Sequence, residues 1–270
     1  MGHTNNTTAE INGIEMSFKL VTIPCLSDNY AFVLHDDASD QTLLVDVPEA
    51  APIIAELAKR NWHVSHVLLT HHHPDHVQGL RALLDVHPAQ VVGAAADAHR
   101  LPALDLALSE GDPFTFAGEE ATVYDVSGHT LGHIAVYFPK SGIAFTADSL
   151  MALGCGRLFE GSAAQMWDSL SKLMRLPPAT IICSGHEYTA ANARFALSIE
   201  PGNENLVARA AKVDDTRKKN HPTVPSKLSE ELATNPFLRP HSAEIRNRLE
   251  MENNSDSQVF AEIRRRKDTF

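Results

Sequence analysis

Thr70-His71-His72-His73-Pro74-Asp75-His76 follows directly on the apolar run Val64 to Leu69, and on this stretch the reading of the whole chain turns. A strand that runs out into a loop dense with imidazoles and one carboxylate has an evident chemical use. Neutral imidazole nitrogen and carboxylate oxygen are the ligands of zinc and other borderline divalent ions. Residues i and i+2 of an extended loop point the same way, so His71 and His73 can share one ion. Asp75 and His76, just beyond the bend, can reach a second. Pro74 reads as the residue that forbids a continuous helix here and stiffens the turn. A tag-like polar tract would be terminal and would lack both the strand in front and the aspartate inside.

Four donors from one loop cannot close two metal sites, so further donors should follow at other strand ends. Gly128-His129-Thr130 comes after the strand Thr122 to Val126, Asp148 ends the strand Ile143 to Ala147, and Gly185-His186 ends the strand Thr180 to Ser184. Each is a metal-capable side chain directly after an apolar run, as expected if ligands gather at one edge of a sheet. Alone, each is a surface or core residue; their shared position in order after the first cluster is what carries the argument.

Around these points the chain alternates β-branched runs with glycine and polar breaks. Further strands are expected at Lys19 to Ile23, Tyr30 to His35, Thr42 to Val47, Gln90 to Ala94 and His133 to Phe138. Helices are expected at Ala50 to Arg60 and at Ala163 to Leu176, the second opened by a capping box of Ser162 and Gln165 and stopped by Pro177-Pro178. After Gly185 strand signals vanish, and the segments Ala190 to Ile199, Leu206 to Lys219, Ser242 to Met251 and Gln258 to Arg266 read as helices. The fold expected is α/β, sheets covered by helices, with a smaller helical part after the last candidate ligand.

Length and composition narrow the function. The 270 residues are 43% hydrophobic and 21% charged, the profile of a globular chain, and no apolar run approaches the roughly 18 residues of a bilayer span. The first residues lack the apolar stretch of a secretory signal, and Cys25, Cys155 and Cys183 have no paired spacing; both fit a reducing, cytoplasmic setting. Residues 1–15 are read as a disordered leader or as the product of a start upstream of Met16. The net charge of -11 is uneven: from Glu187 onward 14 basic residues meet 13 acidic ones, which leaves -12 on the first 186 residues. That balance argues against a nucleic-acid partner.

The pattern His71-x-His73-x-Asp75-His76 resembles the HxHxDH signature of the metallo-β-lactamase superfamily. The resemblance implies a four-layer αββα sandwich with a two-metal site between loop ends. His71, His73 and His129 would hold one ion, Asp75, His76 and His186 the other, and Asp148 would bridge them. It implies two divalent ions, zinc foremost, with iron or manganese as options. His72 and His133 match no ligand position and are read as support; His35, His63, His66, His87, His99, His221 and His241 are read as surface or core residues.

Further stretches resemble one branch, the hydroxyacylglutathione hydrolases or glyoxalase II enzymes: Asp28-Asn29-Tyr30, Gly154-Cys155-Gly156-Arg157-Leu158-Phe159-Glu160-Gly161, Gly185-His186-Glu187-Tyr188-Thr189, Asn235-Pro236-Phe237-Leu238-Arg239 and the tail Arg264-Arg265-Arg266-Lys267-Asp268. The resemblance implies a catalytic domain at 17–186 and a helical substrate-binding domain at 187–270. It also implies hydrolysis of S-D-lactoylglutathione to glutathione and a 2-hydroxy acid, the second step of methylglyoxal detoxification, by a monomer with no membrane partner. Arg157, Arg264 and Lys267 would form a cationic pocket for the carboxylates of the glutathione arm, since an acidic chain needs one locally and arginine offers a bidentate fork. Tyr188 would donate a hydroxyl. Phe159 departs from members with tyrosine there: the ring is kept and a hydroxyl contact is lost. Asp75 would orient a metal-bridging hydroxide, and a thiolate with a pKa of about 8.5 leaves without a dedicated acid. A cysteine nucleophile at Cys155 has no histidine partner left to activate it. The rival readings are a lactonase or β-lactamase, a mononuclear iron persulfide dioxygenase, a nuclease of the superfamily, and a structural zinc site in a binding protein.

Overall fold

The computed structural model describes residues 18–270, so the reading of residues 1–15 lies outside the described residues. Two six-stranded sheets face each other. The first is built from β1 (Lys19–Cys25), β2 (Asn29–Asp36), β3 (Gln41–Val45), β4 (His66–Leu69), β5 (Gln90–Ala94) and β6 (Leu106–Leu108), in that spatial order. β1 to β3 are antiparallel neighbours, whereas β3 to β6 run parallel, with α1 (Ala50–Arg60) crossing between β3 and β4. The short helices α2 (Pro74–Val77) and α3 (Leu80–Leu84) lie between β4 and β5.

The second sheet begins with β7 (Phe114–Phe116), β8 (Glu119–Asp125), β9 (Ile134–Phe138) and β10 (Ile143–Ala147), which form an antiparallel meander. A small hairpin, β11 (Leu150–Met151) and β12 (Gly154–Cys155), and helix α4 (Ala163–Leu173) then lead to β13 (Ile181–Ser184), parallel to β10. Next come α5 (Thr189–Ile199), α6 (Glu204–Lys218), β14 (Ser226–Lys227), α7 (Leu228–Thr234), α8 (Ala243–Leu249) and α9 (Asp256–Asp268). β14 pairs antiparallel with β13 and closes the edge of the sheet. Strand structure therefore does not vanish after Gly185, as the sequence suggested; two residues are too few for a period-2 pattern to register.

Alternation along the strands produces the layering. On β9 and β10, Ile134, Val136, Phe138, Ile143 and Phe145 point into the inter-sheet core, while Ala135, Tyr137 and Ala144 point outward. The inward set meets the first sheet through an aromatic layer in which Phe32 lies 6.0 Å from Phe145 and Phe18 lies 6.1 Å from Phe138, between ring centroids. The outward set is covered by Met166, Leu170 and Leu173 of α4 and by Val259, Phe260 and Ile263 of α9. Ile53 and Leu57 of α1 bury against the first sheet. Helix, sheet, sheet, helix is the expected order of layers, and the C-terminal helices share the outer core of the second sheet.

Ser162 caps α4 as read, its Oγ accepting from the Gln165 amide while the Gln165 side chain accepts from the Ser162 amide. The helix stops at Leu173, a turn short of the sequence expectation. Pro74 is a correction. It does not exclude a helix but opens one, at the first helical position of α2, where its missing N–H costs nothing and its φ is already helical.

Candidate metal centre and adjoining pocket

The donors sit where strands end. His71 and His73 follow β4 of the first sheet; His129 follows β8, Asp148 follows β10, and His186 follows β13 of the second. They gather at one end of both sheets, not along one edge of a single sheet, because the sandwich brings the two sets of loops together. α2 then turns Asp75 and His76 back into the same space.

Two clusters result. His71, His73 and His129 bring their nitrogens within 4.8 Å of one another, and Asp75, His76 and His186 do likewise with nitrogen and oxygen. Asp148 stands between them: its Oδ2 is 3.4 Å from His129 Nε2 and 3.2 Å from His186 Nε2, and its Oδ1 is 3.6 Å from His76 Nε2. That Oδ1 is buried and has no hydrogen-bond partner. A third combination, Asp46 with His71 and His76, is equally tight. Its carboxylate is already occupied, accepting from the Thr70 amide at 2.9 Å, the Thr70 hydroxyl at 2.8 Å and His76 Nδ1 at 2.7 Å. Asp46 therefore orients His76 and is not free to ligate.

The residues fit a metal for a second reason. His71 Nε2 lies 3.1 Å and His129 Nε2 3.0 Å from His73 Nδ1, and His76 Nε2 lies 3.3 Å from His186 Nε2. Nitrogens bound at about 2.0–2.1 Å in a tetrahedron stand about 3.3 Å apart. The protons that would relieve such crowding are mostly held elsewhere. His129 Nδ1 donates to the Arg157 carbonyl at 2.7 Å, His186 Nδ1 to Asp28 Oδ1 at 2.9 Å, and His71 Nδ1 to the Thr70 hydroxyl oxygen at 3.1 Å. With His76 held by Asp46, these four rings turn Nε2 toward the centre, whereas His73 presents Nδ1. Burial, with neighbouring imidazoles, pushes His71 well below its ordinary range and His73 down to about 4, so both are neutral, the form that ligates. Burial would push the Asp148 carboxyl up, but His76 and His186 hold it well below. Conversely, burial pulls His76 down, and Asp148 with Asp46 raises it well above its usual value. A divalent cation held there would take the place of that proton.

The two unassigned histidines have partners. His133 is buried and stacks on His71 at 4.6 Å between centroids, and its Nε2 accepts from the Asp148 amide at 3.3 Å. His72 Nδ1 donates to Asp97 Oδ2 at 2.8 Å. Asp97 and Glu160 are joined by Arg100, and Glu160 Oε2 accepts from the Leu131 amide at 2.8 Å, so this network ties three ligand-bearing or pocket-bearing loops. The sequence alone does not mark Asp46, Asp97, Arg100 or Glu160 as site residues. Asp46 alone carries a partial signal, a carboxylate near the end of the expected strand Thr42 to Val47; the observed strand stops just before it, at Val45. In the sequence Asp28 and Asn29 stand out only as part of a motif; Asn29 Nδ2 donates to Asp75 Oδ2 at 3.0 Å and so sets that carboxylate's orientation.

A cavity of about 620 Å³ opens from the donors toward the C-terminal helices, and every residue expected to bind substrate lines it: Arg157, Phe159, Tyr188, Arg264 and Lys267. The Phe159 ring is 62% exposed and meets the edges of His73 and His129. Tyr188 stacks flat on His186, 4.7 Å between centroids. Lys267 lies over the faces of Phe195 and Phe270, and burial, then the Arg264 and Arg194 charges, lower its pKa to about 8. Arg264 is less available than expected. It is buried, stacked over Phe237, and donates through Nη1 to the Cys155 carbonyl at 3.0 Å and through Nη2 to Asp268 Oδ1 at 2.8 Å. Burial raises the Cys155 thiol to about 11, which leaves almost no thiolate near neutral pH and agrees with the reading against a cysteine nucleophile. Among the described residues no helix is long and apolar enough to cross a membrane.

Two family models match the chain. Residues 27–186 match the family model "Metallo-beta-lactamase superfamily", and residues 187–270 match "Hydroxyacylglutathione hydrolase C-terminus". The hydroxyacylglutathione hydrolase of Roseobacter denitrificans is 62% identical over 255 residues, covering 94% of this chain and 100% of that protein. Those of Cereibacter sphaeroides and Ruegeria pomeroyi are 60% and 59% identical with the same coverage. Among solved structures, the BLEG-1 B3 metallo-beta-lactamase superposes with a TM-score of 0.64 at 21% identity, covering 82% of this chain and 99% of that one. ETHE1 from Myxococcus xanthus gives 0.62 at 24% identity, covering 93% and 98%. At such identities the two structures speak for the fold alone.

Proposed function

The chain belongs to the hydroxyacylglutathione hydrolase family of the metallo-β-lactamase superfamily, and from that premise we propose that it hydrolyses S-(2-hydroxyacyl)glutathione, S-D-lactoylglutathione foremost, to glutathione and a 2-hydroxy acid. The observation that carries the reading is one cavity with metal donors at one end and Arg157, Arg264 and Lys267 at the other. Two divalent ions, zinc foremost, are the cofactors proposed: His71, His73 and His129 would hold one, Asp75, His76 and His186 the other, with Asp148 reaching both. When bound, such ions supply Lewis acidity and bring the acidity of water close to neutral pH.

The protein's own groups do the rest. Arg157 and Lys267 attract the carboxylates of the glutathione arm, and the cavity lays the thioester toward the donor end. Asp75, held by Asn29, presents an oriented carboxylate that positions the attacking water by accepting its hydrogen bond. His186 is steadied by Asp28 on one side and by the Tyr188 ring on the other, so the wall facing the thioester stays fixed. The leaving thiolate is stable enough near neutrality to depart without a general acid. A monomer with a small-molecule substrate and no nucleic-acid partner, working in the cytoplasm, is part of the same proposal.

The test is release of free thiol from S-D-lactoylglutathione by the metal-loaded protein, with and without chelator. Turnover that chelator abolishes is expected; absence of thiol release from protein carrying two ions per chain overturns the reading. Replacing Lys267 with alanine should raise KM for the glutathione thioester at least tenfold.

A further inference from the structure

A carboxylate stands beside the cationic end of the cavity, against two of the residues that line it. Asp268 Oδ1 accepts from Arg264 Nη2 at 2.8 Å, one helical turn away on α9, and lies 3.6 Å from Arg157 Nε across the pocket mouth. Of the two arginines, Arg264 is pinned by this contact and by the Cys155 carbonyl, whereas Arg157 is 60% exposed at its side chain and approaches Asp268 at 3.6 Å through Nε, beyond hydrogen-bond distance. Its terminal fork is therefore left for a ligand, but its charge is shared with a resident anion. Lys267, the neighbour of Asp268 in sequence, completes the group.

We infer that Asp268 is a built-in competitor for the incoming carboxylate, a residue that limits how tightly the pocket grips the glutathione arm. The inference rests on the reading that this cavity holds an acyl-glutathione. Its chemical sense lies in the product. Glutathione leaves with the same carboxylates that brought the substrate in, so binding energy spent uniformly on that arm lowers KM and slows departure without helping the chemical step. A carboxylate fixed among the cations weakens both states equally and keeps product release fast. The Arg157 contact, long and partly solvated, is weak enough for a substrate carboxylate to displace.

The experiment is calorimetric titration of the metal-loaded full chain with S-methylglutathione, a thioether that cannot be hydrolysed. Asp268→Asn keeps the oxygen that accepts from Arg264 and removes the charge; its Kd should fall about three- to tenfold, the effect of one unit charge a few ångströms from the ligand in a largely aqueous setting. Asp268→Ser, a second neutral variant, should tighten binding likewise, and Asp268→Glu should stay within about twofold of the parent. KM for S-D-lactoylglutathione should follow Kd. An unchanged or raised Kd in the neutral variants overturns the inference, and so does equal tightening by Asp268→Glu. If the parent binds and Arg157→Ala weakens that binding while Asp268→Asn does not tighten it, this inference alone falls. If the parent does not bind S-methylglutathione, the glutathione reading falls and takes this one with it.

Discussion

Asp46→Asn isolates the idea that carboxylates and carbonyls around the donors choose which imidazole nitrogen meets a metal. Asp46 is 2% exposed and accepts from three donors, the Thr70 amide, the Thr70 hydroxyl and His76 Nδ1. Asparagine has nearly the same shape, but one of its two terminal atoms is a donor. If the amide nitrogen faces His76, either two donors oppose each other or the ring moves its proton to Nε2, the atom needed for ligation. If the nitrogen turns the other way, it faces the Thr70 backbone N–H, which cannot change. Either way a buried donor loses its partner, which costs about 1–3 kcal/mol. Expressed as metal affinity this is about ten- to a hundredfold, the size typical of lost support around a ligand. The assay is competition with a chelator of known affinity, read as ions per chain by elemental analysis. One ion should be lost at chelator concentrations the parent withstands, while the other, on His71, His73 and His129, should persist longer. Two ions held as firmly as in the parent would refute the tautomer argument.

Three further outcomes follow from the same geometry. Lys267, lowered to about 8, is cationic below that pH and neutral above it, so affinity for carboxylate is present at pH 7 and lost as pH rises; KM for S-D-lactoylglutathione should climb about tenfold between pH 7 and 9, and Lys267→Met should flatten that profile. Asp148→Ala removes the oxygens between the two donor clusters, and elemental analysis should find fewer than two ions per chain with kcat down at least about a hundredfold; two ions and full activity would exclude a bridging role. At Gly156 an added Cβ would lie 2.0 Å from the Asp148 carbonyl oxygen and 3.0 Å from His129 Nδ1, so Gly156→Ala should lower both metal retention and kcat by about tenfold or more, measured on the folded, soluble variant.

Much of the sandwich was legible because its strands are long enough to alternate. Gln90–Ala94, Ile143–Ala147 and helix Ala50–Arg60 fall where the periodicity puts them. What escaped was short or conditional. β14 is two residues long and exists because β13 offers it an edge; Pro74 reads as a breaker until its place at the first helical position is known. The donors were legible for a different reason: each follows an apolar run, and strand ends of a two-sheet fold converge.

Which nitrogen each histidine presents was not legible, and the reason is physical. That choice depends on acceptors supplied from remote parts of the chain: Asp46 for His76, Arg157 O for His129, Asp28 for His186. The His186 partner is 158 residues away in sequence, and the His129 partner is a backbone carbonyl, which any residue type would provide. A carbonyl leaves no mark in a sequence. It nonetheless couples two parts of the site, because it belongs to Arg157, whose side chain lines the cavity, so one loop both lines the cavity and orients a ring of the donor cluster. Phe159 extends the link, its amide donating to the His129 carbonyl at 3.2 Å. A shift of this loop that broke the His129 Nδ1 bond would free that ring to change tautomer, so the loop must stay in place for His129 to keep Nε2 toward the donor cluster.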